Sequence, residues 1–71
     1  MNKINPRKLL GSKWTAVKPD NKEKHFIASE IEFDEQDLVI SFTIEAVLSK
    51  RSIVIDWNEL KDDGDWIHGW K

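Results

Sequence analysis

Cysteine is absent from this 71-residue chain. Neither disulfides nor thiolate zinc sites can therefore hold it folded, although chains this short often rely on one or the other. Stability must come from packing, supplemented at most by a partner chain. Tyrosine is absent too, and glycine and proline number only three and two. Gly11, Gly64 and Gly69 stand apart from one another, so no glycine-rich phosphate loop is present. No apolar run exceeds three residues, which leaves nothing suited to cross a bilayer as a helix and no expectation of a membrane partner. The opening stretch, Met1 to Leu10, lacks the apolar segment and cleavage site of an export signal. Together with the missing cysteines, this sets up the expectation of a cytoplasmic protein.

What the chain does have is tryptophan. Trp14, Trp57, Trp66 and Trp70, with three phenylalanines, are its only aromatic residues. Each indole can bury roughly 200 Å², which suits a small single domain spanning residues 1–71. Charge is unevenly spread under a net value of −2. Residues 1–24 carry seven Lys/Arg against two acids, whereas residues 25–48 carry six acids and no Lys or Arg. Two readings follow: a solvated surface whose halves attract each other, or a basic arm aimed at an anionic partner.

The hydrophobic pattern has the period of strands. Leu38, Ile40, Phe42, Ile44, Ala46 and Leu48 alternate with Ser41, Thr43 and Glu45, predicting a central strand over 38–48. Strands are also predicted over 13–17, 25–33 and 53–57. They are separated by the polar loops 20–23, 34–37 and 49–52, with Pro19 ending the first strand. Pairing Phe33 with Leu38, and Leu48 with Ile53, keeps the apolar faces together and sets Ile44 between Ile27 and Trp57. Asn5-Pro6 can cap and start a helical turn near residues 5–10 that Gly11 ends, and a second turn is read near 58–62. The fold class is mostly β: a small antiparallel meander or open barrel of about four strands, with the terminal Trp66–Trp70 segment closing one end.

Catalytic chemistry finds no foothold. No cysteine exists, no serine sits in a Gly-x-Ser-x-Gly elbow, and the carboxylates fall in loops or on the polar strand face. His25 and His68 are the only histidines, without the close spacing of a metal site. His25 is read as a strand residue and His68 as a partner of the terminal tryptophans. No enzyme activity, metal or cofactor is expected. The candidates that remain are Trp14, Trp66 and Trp70, with Lys13, Lys50 and Arg51. The tryptophans either clamp the end of the sheet or offer a platform for a base, a peptide proline or a cation. Arg7, Lys8, Lys13, Lys50 and Arg51 would form one basic patch if the first helical turn packs near residues 49–52.

The motif stretches Asn5 to Leu10, Ser12 to Val17, Lys22 to Phe26, Glu45 to Ser52, Trp57 with Leu60-Lys61-Asp62, and Trp66 through Gly69-Trp70 span nearly the whole chain. On these residues the chain resembles a family of small tryptophan-rich bacterial proteins of unknown function. The resemblance implies a bacterial cytosolic protein and supplies no binding or catalytic residue. The long apolar alternation at 38–44 departs from that pattern. The leading functional expectation is a non-enzymatic module that binds a protein or peptide partner through edge tryptophans. The alternative is RNA binding through the basic amino-terminal arm and the Lys50-Arg51 loop. A homodimer through the edge strand at 13–17, guarded only by Lys13 and Lys18, is a further expectation.

Overall fold

A computed structural model describes residues 2–71. Met1, first residue of the stretch read as lacking an export signal, lies outside them. Five strands form one open antiparallel sheet: β1 (Lys13–Asp20), β2 (Glu23–Phe33), β3 (Val39–Ala46), β4 (Ser52–Val54) and β5 (Trp66–His68), in the order β4-β3-β2-β1-β5. Two short 3-10 helices, η1 (Pro6–Lys8) and η2 (Trp57–Lys61), complete the fold. The chain is thus mostly β, an open sheet and not a closed barrel.

Local chemistry explains most of the punctuation. Asn5 caps η1, its side chain accepting from the Arg7 amide, and Pro6 supplies the first helical position without wasting a donor. Asn21 and Lys22 both take left-handed backbone angles, φ 52° and 61°, which gives a two-residue hairpin between β1 and β2. The strands therefore run into the segment expected to be a four-residue loop. Pro19 does not end β1. It sits in the irregular stretch between Thr15 and Asp20, where no β2 partner needs the N–H it lacks.

The register differs from the simple alternation because of two bulges. Ser29 is an extra residue on β2, between the pairs Ala28↔Ile44 and Glu30↔Thr43. Before it, Phe26 and Ala28 point into the core and Ile27 faces the other way; after it, Ile31 joins the core opposite Phe42. Ile40 is the extra residue on β3, so Val39 packs on the core and Ile40 turns out, 62% exposed. Leu38 is exposed as well. Leu48 lies beyond the end of β3 at 88% exposure, because the chain turns immediately after Ala46. Of the six alternating residues, only Phe42, Ile44 and Ala46 are buried. On the other flank, Ile44 pairs with Ile53 and Thr43 with Val54, not Ile44 with Trp57.

The core fills one side of the sheet, with Leu9, Trp14, Ala16, Phe26, Phe42, Ile44 and Leu60 at its centre. The amino-terminal segment and η2 cover it. The Asn2 side-chain amide donates to both the Leu60 and Trp66 carbonyls, each at 2.8 Å, tying the two covers together. Capping of η2 is reciprocal: Asp56 accepts from the Asn58 amide and Glu59 from the Asp56 amide. The Asn58 amide holds the Asp56 carboxyl below its ordinary pKa.

Trp66–His68, expected to close one end of the sheet, forms a strand of it, β5. It pairs along β1 through Trp14↔His68, Thr15↔Ile67 and Ala16↔Trp66. The expected free edge at 13–17 is therefore occupied on both sides by the chain itself.

Candidate functional site

The four tryptophans have four different surroundings. Trp14 is 1% exposed, so it is core and offers no platform. Its ring stacks on His68 at 4.7 Å, and its N–H donates to Ser12 Oγ at 2.8 Å. His68 is thus a partner of Trp14, the strand tryptophan, and not of the terminal ones. Trp66 is half-buried, meeting Phe26 edge-to-face at 5.3 Å. Trp57 is half-buried with Lys61 Nζ 4.6 Å from its ring centre.

Trp70 is the most open at 44% exposure. Gly69, at φ +90°, turns the chain back after β5. The Trp70 N–H then donates to the Phe26 carbonyl, and Lys13 Nζ sits 4.8 Å from its ring. His25 flanks the same ring at 6.0 Å. Thr15, below this tail, is buried and exchanges hydrogen bonds with it, donating to the Gly69 carbonyl and accepting from the Lys71 amide. Of the six candidate residues, the structure brings Lys13 to the half-exposed Trp70, gathers Trp14 and Trp66 in the core cluster, and leaves Lys50 and Arg51 in a loop apart from both.

The basic residues do not form one patch. Arg7 pairs with Asp37 at 2.5 Å, beside the β2–β3 turn. The loop carrying Lys50 and Arg51 joins β3 to β4, so it lies at the opposite end of the sheet with the β1–β2 turn. Arg51 is committed to Glu23, with its Nε 3.0 and 3.1 Å from the two carboxylate oxygens and its terminal nitrogen closing the fork. Ser49 Oγ adds a hydrogen bond to the same carboxylate at 2.5 Å. Glu23 is 7% exposed, and this donor set, led by Arg51 and then Ser49, lowers its pKa from 4.5 to about 2. Expected to be an ordinary solvated acid in a turn, Glu23 instead clips the β1–β2 turn to the β3–β4 loop. Its partners lie 26 and 28 positions away, and no local pattern announces them.

No local pattern announces the groove where the sheet is left open either. β4 pairs only with Thr43 to Glu45 of β3, after which the Ile55 amide donates to the Phe42 carbonyl and the chain leaves for η2. Among the described residues, no strand pairs with Val39–Ser41 on the side away from β2. A cleft of about 350 Å³ follows it, walled by Val39, Ile40 and Phe42 on one side and Ile55, Asp56 and Trp57 on the other. Leu38, Ile40 and Val54 are large, apolar and exposed around it. Acids outnumber bases at its ends: Asp34, Glu35 and the Arg7-paired Asp37 in the adjoining turn, Asp56 and Glu59 at the start of η2, where Lys61 lies on the Trp57 ring.

The family model for tryptophan-rich protein (DUF2389) matches residues 12–71. The chain belongs to that tryptophan-rich family. No curated protein and no solved structure matches it. Among the described residues, no helix is long and apolar enough to cross a membrane, and no group of three or more His, Asp or Glu side chains is placed to hold a metal ion.

Proposed function

We propose that the protein is a non-enzymatic interaction module that docks an extended, basic segment of a protein partner along the open side of β3. The observation that carries this reading is the stretch Val39–Ser41, paired with β2 on one side and open on the side beside the Trp57 cleft, with Leu38, Ile40 and Val54 exposed around it. An open sheet edge presents backbone donors and acceptors to a peptide strand, and the flanking apolar side chains supply contact area. A basic occupant answers the excess of acids, Asp34, Glu35, Asp56 and Glu59, that remains at the groove ends after Arg7 pairs with Asp37 and Lys61 sits on Trp57. A second copy of this chain fits less well, because symmetric pairing would bring those acids together. The tryptophan at the contact is then Trp57, since Trp14 is core and Trp70 is held down on its own chain. This reading sets the module in a bacterial cytosol, in keeping with its cysteine-free composition.

Titration of the 15N-labelled protein with an acetylated, amidated Lys-Val-Lys-Val-Lys peptide tests the reading. The Val39–Phe42 amides and the Trp57 indole should shift, and Ile40→Lys should remove the shifts while leaving the fold intact, because Ile40 is already in solvent. Single-stranded oligouridylate is the competing probe. Shifts with it at Lys22, Lys24 and Lys50, weakening steeply as salt rises, together with none from the peptide, would replace this reading by RNA binding at the turn end. Silence with both probes would overturn the groove as a docking site.

A further inference from the structure

On the core-covering side, the amino-terminal segment arches over β1 and β5 and leaves a second cavity of about 220 Å³. Its inner wall is apolar: Ile4, Leu9 and the Trp14 ring stacked on His68. Two polar groups at the back of that wall are already satisfied. The Trp14 N–H is given to Ser12 Oγ, and the Ser12 hydroxyl donates to the Leu9 carbonyl at 2.5 Å. At the rim stand Lys3 and Lys8, both exposed and neither with an ion-pair partner among the described residues. No carboxylate lines the cavity, although the chain holds 13 acids against 11 Lys/Arg.

We infer that this cavity is a binding site for a single-ring aromatic carboxylate, the ring entering against Ile4 and the exposed His68 ring, with the buried Trp14 and Leu9 behind them, and the carboxylate meeting Lys3 and Lys8. Each part of that ligand answers a separate observation. The exposed His68 ring, backed by buried Trp14 and flanked by Ile4, favours a planar apolar body over a polar one. Two unmatched ammonium groups at the mouth favour one negative charge there. The volume lies below the roughly 300 Å³ at which drug-sized sites begin, which suits one ring inside it. The site shares no wall residue with the β3 groove, so it stands or falls independently of the docking reading.

The ligand chemistry has two sources, a free aromatic acid or the carboxy-terminal phenylalanine of a peptide. Three probes separate them: 3-phenylpropanoate, its neutral amide, and Gly-Gly-Gly-Phe with a free carboxylate. 3-Phenylpropanoate should move the Trp14 indole and His68 ring signals with a dissociation constant on the order of 1 mM. The amide should bind about tenfold more weakly, and Lys3→Gln/Lys8→Gln should weaken the acid by about tenfold while leaving the amide unchanged. Lys50→Gln, in the distant β3–β4 loop, should change nothing. Equal binding of the peptide supports an open site that takes a chain terminus, and its exclusion supports a free acid. Equal affinity for acid and amide, an unaffected lysine double variant, or no movement of the Trp14 signal would each overturn the assignment.

Discussion

Glu23 shows how a side chain's role follows from its partners more than from its type. Nearly buried, it accepts from Arg51 and Ser49, and those donors favour its ionised form. The consequence for stability has a definite sign. The folded-state pKa lies below the ordinary 4.5, so the unfolded chain takes up the proton first. The clip's contribution is complete above pH 4.5 and is lost as pH falls from there towards about 2. Urea unfolding at steps across this window should show stability falling in the wild type. Arg51→Gln should be less stable at neutral pH and show a flatter fall. Equal slopes in the two proteins would mean that the pair does not form.

At the level of strands and turns, Gly69 is the point at which β5 becomes the tail that covers Thr15. Its φ of +90° is unfavourable for any residue with a Cβ, although an added Cβ would meet no atom within 4 Å. Gly69→Ala should therefore cost about 1–2 kcal/mol from the backbone alone, read as a lowered urea midpoint with an unchanged slope. The elements most legible in the sequence were those written locally. The Asn5-Pro6 cap, a turn within 20–23 that is tightened to Asn21-Lys22, the turn at 34–37, and the alternation of Phe42, Ile44 and Ala46 all appear in the structure. The two bulges did not show, because one extra residue such as Ser29 or Ile40 changes which face its neighbours occupy and leaves no trace in composition. Nor did β5, whose three residues are too few for a periodic signal and whose partner strand lies at the other end of the chain. The candidate sites were less legible still. Tryptophan content pointed to aromatic surfaces, but burial decides which indoles are available. The groove owes its existence to β4 being shorter than β3, which is a matter of pairing and not of residue type.

For the molecule as a whole, the sheet order sets the sequence of folding events. β1 to β4 pair with their immediate neighbours in the chain, whereas β5 reaches back to β1, with Thr15 bonding Gly69 across 54 positions. Short loops close at little entropic cost and long ones at more, so the hairpins should form before the final strand docks. The amides tell the two stages apart. Ala46 donates to Arg51 within a hairpin, while Gly69 donates to Lys13 and Val17 to Asp65 across the long closure. In pulse-labelled exchange during refolding, Ala46 should gain protection ahead of Gly69 and Val17, and simultaneous protection would contradict this order. The last strand thus works as a latch. Until it closes, Trp14 lacks the His68 ring that stacks on it and β1 presents an open edge, so the refolding chain is most prone to pair with its neighbours in the interval just before the latch shuts.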